Sequence, residues 1–367
     1  MSRITRRSLL ASVLAAPAAI ASARAQDKRR ISFTLPFLAE GSNAYAHVTK
    51  AMGFWDEAGL DVTISRGFGS VAAAQAVAAG KFDFGLAVPS SSIQQAAKGL
   101  GIVAIACCGY DATMGICVPK DSPIHVPRDL EGRKMGAVVT SGEFPFLPAF
   151  AKLTGFDLKA VEIVQTDPNV RQRLLTGGQV DCISGFAVSF IPPLIAQNYD
   201  AHSMLYGDHG LTLYNNALLT RPAMVEQEPK LCAAVAAGLV KGMKATLLDL
   251  DEAVSLFVRE VPETALARGG AERTRIGLGI FANSILRDDV LANGLGHAVE
   301  ADYGEMIDLH MRYVAAPGDR TPKVKEVMTN DFVGGLSFTP EEWQKARRNA
   351  EPYTKYLSGK DSSGKAG

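Results

Sequence analysis

The chain has 367 residues, 47% of them hydrophobic and 21% charged, with 38 basic and 38 acidic side chains. That length and apolar content suit one large or two medium domains with real cores. A balanced charge argues against a nucleic-acid binder and against a protein held on an anionic membrane surface.

The first 25 residues carry Arg3, Arg6 and Arg7, then an apolar run broken by Pro17, then Ala23-Arg24-Ala25. A charged start, a short apolar stretch and a small-residue cleavage site predict a secretory signal peptide over 1–25. Thr5-Arg6-Arg7-Ser8-Leu9-Leu10 makes it a twin-arginine-type signal, and the expected location is the periplasm. Without this segment the chain holds 34 basic and 38 acidic residues, a mildly acidic body. No apolar stretch beyond it is expected to be long enough to span a bilayer, so no membrane insertion of the mature chain is expected.

Downstream, the elements repeat. A strand at 31–35 leads through a loop and a helix to Gly53-Phe54, then to the strand DVTISR (61–66) and a helix ending at Gly80. A strand at 134–139 leads likewise to Gly155-Phe156, AVEIVQ (160–165) and a helix ending at Gly178. AAGKFDFGLAVPSS (78–91) and TGGQVDCISGFAVS (176–189) share a Gly, an apolar residue, an Asp, a short strand and a small-residue loop, 98 residues apart. The order of elements predicts an α/β protein of two lobes, each a mainly parallel sheet covered by helices. Lobe one is expected over 30–116 plus 217–355, and lobe two over 120–215. Crossovers near Gly115–Pro119 and Leu213–Thr220 would form a hinge, since Pro119 and Pro123 stop regular structure. The helical patterns at 229–250 and 251–260 should pack on lobe one. The small, polar stretch 357–367 reads as a disordered tail.

Five cysteines leave at least one thiol unpaired, and a Cys107–Cys117 bridge stays open. The sequence holds no zinc-type Cys spacing, no H-E-x-x-H and no G-x-S-x-G, and its G-L-G at 277–279 lacks the rest of a dinucleotide fingerprint. No catalytic residue, metal ligand or cofactor is therefore expected.

Ligands of open α/β sheets bind beyond the carboxyl ends of the strands, so the strand-end loops of both lobes should face one cleft. Ser70 stands before VAAAQAVAAG, Ser90 and Ser91 stand ahead of IQQAAKG, and Ser141 precedes a helix running to Leu153. Such serines cap helices, and the free amides beyond a cap receive anions or carbonyls. The aromatics Phe37, Tyr45, Phe68, Phe144, Phe186 and Tyr214 gather in the same loops and would suit a flat ring. Glu143 would accept from ring amino groups and repel a sulfonate or nitrate. Asn43, Ser189 and Asn215 complete the expected ligand contacts. Cations are scarce there: Arg66 stands at a strand end and Arg171 inside a helix.

GFWDEAGLDVTISRGFGS (53–70) followed by AAGKFDFGLA (78–87) resembles the amino-terminal pattern of solute-binding proteins that serve ABC importers. The branch holds the receptors for alkanesulfonates, taurine, nitrate and thiamine-pyrimidine precursors, and the fungal enzyme that makes the thiamine pyrimidine. SGEFPFLPAF (141–150) and VDCISGFAVSFIPPL (180–194) are most similar to the pyrimidine-precursor receptors. The resemblance spans about residues 31–260. It implies a type II periplasmic binding fold with a two-strand hinge, a monomer, a small-molecule ligand, and permease and ATPase partners. A sulfonate, taurine or nitrate receptor and a ligand-sensing subunit of a signalling system are the alternatives. The synthase is disfavoured: its cysteine-rich segment corresponds here to LYNNALL, and nothing aligns His47 and Lys50 with its active-site pair.

Overall fold

The structure is a computed structural model and describes residues 28–357. The expected signal peptide, and all of the expected tail except Leu357, lie outside the described residues.

Strands and helices alternate from the start: β1 (Arg29–Thr34), α1 (Ala44–Ala51), β2 (Leu60–Ser65), α2 (Ser70–Ala78), β3 (Phe84–Ala87), α3 (Pro89–Ala97) and β4 (Val103–Cys107). The chain then crosses to β5 (Met114–Pro119), β6 (Lys134–Ala137), α4 (Leu147–Thr154), β7 (Glu162–Gln165), α5 (Arg171–Thr176), β8 (Cys182–Phe186), α6 (Ala187–Ile195) and β9 (Ala201–Leu205). It returns through β10 (Ala217–Thr220) and continues in α7 (Pro222–Gln227), α8 (Pro229–Leu248), α9 (Leu250–Glu260), α10 (Pro262–Leu266), α11 (Gly270–Asn283), α12 (Asp288–Asn293) and α13 (Glu300–Tyr313).

Two five-stranded sheets result, ordered β2-β1-β3-β10-β4 and β7-β6-β8-β5-β9. In each, the first three strands are parallel, and the strand entered on crossing between lobes lies antiparallel between its two neighbours. The repeated aspartates do the same work in both. Asp83 accepts from the amide and hydroxyl of Ser32 at 2.9 and 2.8 Å, tying the entry to β3 to β1. Asp181 accepts from the amide of Lys134 at 2.7 Å, tying the entry to β8 to β6. The repeated glycines, Gly80 and Gly178, turn the chain out of the preceding helix at φ of +76° and +67°, a region glycine enters without steric cost.

The crossings differ from the expected hinge. Residues 115–119 and 217–220 are strands inside the sheets, and the chain passes between lobes at 108–113 and 206–216. Pro119 ends strand β5 rather than a lobe, because a strand terminus tolerates the missing amide. Residues 114–116, assigned by sequence to lobe one, therefore belong to the second sheet. The two crossing segments are paired: Cys108 N donates to Asn216 O (2.8 Å), Asn215 N to Gly109 O (3.0 Å) and Ala112 N to Leu213 O (2.7 Å).

Helix α8 corrects a second expectation, since it is long and apolar enough to cross a membrane by length and composition. Most of it is buried in lobe one, however, as in a core helix. Trp55 donates its indole N–H to Val235 O at 3.0 Å. Gly238 and Gly242 admit Trp55 and Thr49, whose atoms occupy the space a Cβ would need. All five cysteines are buried and unpaired. Cys107 and Cys117 sit on strands of different sheets, which is why they do not bridge.

Candidate functional site

The strand ends of the two sheets meet around a chamber of about 370 Å³, counting its mouth. Lobe one supplies the loop after β1, with Pro36, Phe37, Glu40 and Ser42, and the first residue of α2, Ser70. Lobe two supplies Ser141 after β6, Arg171 at the start of α5, and Phe186, Val188 and Ser189 where β8 passes into α6. Asn215 and Asn216 close the back from the second crossing. The space enclosed within it is about 30 Å³, far below the roughly 300–1,000 Å³ of an open small-molecule site.

The lobes are shut over this chamber. Val71 N donates to Thr140 O at 3.1 Å, and the Thr140 hydroxyl donates to Phe68 O. Gly69 permits that approach, because it stands at φ +122° and a Cβ there would collide with the Thr140 carbonyl. On another wall the Ser189 hydroxyl donates to the Glu40 carboxylate, which also accepts from Ser42 Oγ at 2.9 Å.

The electrostatics centre on Arg171, only 1% exposed. Its Nη1 donates to Ser184 O at 3.0 Å, and its guanidinium lies 5.4 Å from the centre of the Phe37 ring. Gly185 makes the room, since a Cβ there would collide with Nη1. Glu143 is wholly buried and accepts from the hydroxyls of Ser141 and Ser184, the latter at 3.2 Å. Burial pushes the Glu143 and Glu40 carboxyls above the usual carboxylate range. The Arg171 charge and the serine donors pull them partly back. Burial likewise lowers Arg171 from its ordinary value, and the two carboxylates oppose that shift.

Six of the residues singled out by sequence line the chamber: Phe37, Ser70, Ser141, Phe186, Ser189 and Asn215. The other eight lie elsewhere. Asn43 donates to Leu38 O at 2.9 Å and accepts from Glu40 N at 3.1 Å, so it shapes the first loop. Tyr45 is buried and stacked on Phe281 at 5.2 Å, and Phe144 packs at the edge of the core. Phe68 is 55% exposed beneath Arg66. Tyr214 donates to Asp302 Oδ2 at 2.6 Å and packs edge-on against Tyr110 and Tyr303. Glu143 stands behind Ser141. Ser90 and Ser91 face a separate void with His310. An aromatic ring gains more from core burial than from exposure in a cleft, so Tyr45, Phe144 and Tyr214 pack into or against the core, whereas Phe68 stays on the surface.

The serine caps are also corrected. The cap positions of α2 and α3 are Gly69 and Val88, and Ser70 Oγ instead accepts from Val88 N at 3.4 Å. Sequence reasoning missed Glu40, Ser42 and Arg171. Glu40 carried a usable signal, as an acid inside a strand-end loop. Arg171 carried none, because its helical position says nothing about the direction in which α5 points it. Among the described residues no group of His, Cys, Asp and Glu is arranged to hold a metal.

Two sheets joined by a paired double crossing, with a chamber between their strand ends, define the two-lobed fold of periplasmic binding proteins. The family model described as NMT1/THI5 like matches residues 43–253, and the chain belongs to that family. A Haemophilus influenzae protein named for thiamine biosynthesis is 26% identical over 193 residues, covering 52% of this chain. The match spans 61% of that relative's length. The fold is shared with the alkanesulfonate-binding protein SsuA of Xanthomonas axonopodis pv. citri, at a TM-score of 0.60 and 16% identity over 83% of this chain and 99% of that one. It is shared as well with the periplasmic nitrate-binding protein NrtA of Synechocystis PCC 6803, at a TM-score of 0.64 and 12% identity over 90% and 91% of the two chains.

Proposed function

We propose that this protein is the extracytoplasmic solute-binding subunit of an ABC-type importer and captures a small planar nitrogen-containing molecule, such as a thiamine-pyrimidine precursor. The observation that carries the reading is a chamber whose walls come from both lobes and whose seal consists of contacts between them. A ligand touching both walls favours the closed form, and only that differential affinity drives closure. Phe37 and Phe186 line the chamber from opposite lobes as candidate stacking partners, and serine hydroxyls and asparagine amides in the same lining supply donors and acceptors. The name of the Haemophilus influenzae relative supports the thiamine connection. The expected signal peptide supports export.

Binding rather than synthesis is favoured by the place of His47. It packs edge-on against Phe257 in lobe one and is absent from the chamber wall. Mass spectrometry of small molecules released from freshly purified, denatured protein tests the reading. A pyrimidine is the expected find. Added to the emptied protein, that compound should compact it in X-ray solution scattering and raise its melting temperature. Tight binding without compaction would overturn the closure mechanism.

A further inference from the structure

Arg171 is a fully buried cation whose bonding is incomplete. Of its three nitrogens only Nη1 has an acceptor. Nε and Nη2 are buried and have no hydrogen-bond partner among the described residues. Nor does Arg171 form an ion pair with any described carboxylate. Glu143 is occupied by two serine hydroxyls, and Glu40 by two others. Removing a guanidinium from water costs several kcal/mol unless it is paired and hydrogen-bonded, so the bare N–H edge of a residue that lines the chamber asks for an acceptor. Nε–H and one N–H of Nη2 point the same way. Together they make the fork that receives the two oxygens of a carboxylate side by side. The fork is held in place by the Phe37 ring against its face, by Ser184 O on Nη1, and by the bare backbone of Gly185 alongside.

We propose that the ligand carries a carboxylate, bound by the Nε and Nη2 edge of Arg171. This rests on the reading of the chamber as a solute site and narrows the class of solute, from a planar ring to a planar ring bearing an acid group.

Calorimetric titration of the full chain, stripped of bound solute, tests the proposal with four probes: pyrimidine-5-carboxylate, pyrimidine-5-carboxamide, 4-amino-5-hydroxymethyl-2-methylpyrimidine and benzoate. The carboxylate should bind at least about tenfold more tightly than its amide, the size of one charge-assisted hydrogen bond. Arg171→Lys, which keeps the charge and loses the fork, should abolish that preference. The comparison within the native protein stands even where the variant fails to fold. Equal binding of carboxylate and amide, or no carboxylate binding at millimolar concentration, overturns the proposal. If the hydroxymethylpyrimidine then still binds, the receptor reading survives without the acid group. If benzoate matches pyrimidine-5-carboxylate and loses its advantage in Arg171→Lys, the fork is upheld and the nitrogen heterocycle is what falls.

Discussion

The two lobes share a scaffold and differ at its rim. Each sheet orders its strands alike, each ties its third strand to its first through an aspartate, and each leaves its second helix through a left-handed glycine. Yet the first residue of that second helix is Ser70 in lobe one and Arg171 in lobe two, and both face the chamber. After the third strand, lobe one turns Ser90 and Ser91 away from the chamber, while lobe two presents Phe186 and Ser189 to it. Residues that hold the sheet together are bound by the same geometry in both copies. Residues at the strand ends have no such duty, so the chemistry of the chamber resides there.

The largest expected effect comes from the point where the rims touch. Gly69→Ala should weaken ligand binding by more than about 100-fold, roughly 2.7 kcal/mol, since the new Cβ meets Thr140 only in the closed form and the backbone is strained at φ +122°. Solution scattering should then show an open shape with and without ligand. Unchanged affinity would mean that the rims do not need to close.

Acid should separate the lobes next. Lobe one buries His47 and His310, and burial lowers each to about 4. Both are neutral in the fold, so the unfolded chain takes up their protons first as pH falls below about 6.5, and stability declines down to about pH 4. Each group costs on the order of 2–3 kcal/mol across that window. Glu143 in lobe two has the opposite sign: a raised carboxyl contributes stability at low pH that is lost as pH rises through its folded value. His310→Gln should flatten the fall in melting temperature between pH 6.5 and 4, and an unaltered slope would remove His310 from the account.

The shared aspartates should then prove unequal. Asp83→Ala strands the amide and hydroxyl of Ser32 and should cost about 2 kcal/mol, whereas Asp181→Ala loses one bond near solvent and should cost about 1 kcal/mol. Urea unfolding measures both, and equal losses would show that the second bond adds nothing. The smallest effects sharpen the contrast among aromatics. Phe186→Ala should weaken ligand binding by about 1 kcal/mol through loss of a ring face. Phe68→Ala, on the exposed rim of lobe one, should leave affinity unchanged and alter stability by less than about 0.5 kcal/mol.

The order of strands and helices, the repeat, Asp83 with Asp181 and Gly80 with Gly178 were legible in the sequence because each is a local pattern: a periodicity, a turn, or a fixed spacing between them. So were Phe37, Ser70, Ser141, Phe186 and Ser189, which lie at strand ends or in the first turns of helices, and Asn215, which lies in the crossing before β10. Three things were decided only by tertiary structure. The direction of Arg171 depends on how α5 docks beside β8 and on the missing side chain of Gly185. The meeting of Glu40 with Ser189 joins residues 149 apart from different lobes. The withdrawal of Tyr45 and Tyr214 into the core depends on α11 and α13, which pack against them from far along the chain. Periodicity reports which face of an element is apolar, whereas a chamber between two lobes is set by where those elements come to rest against each other.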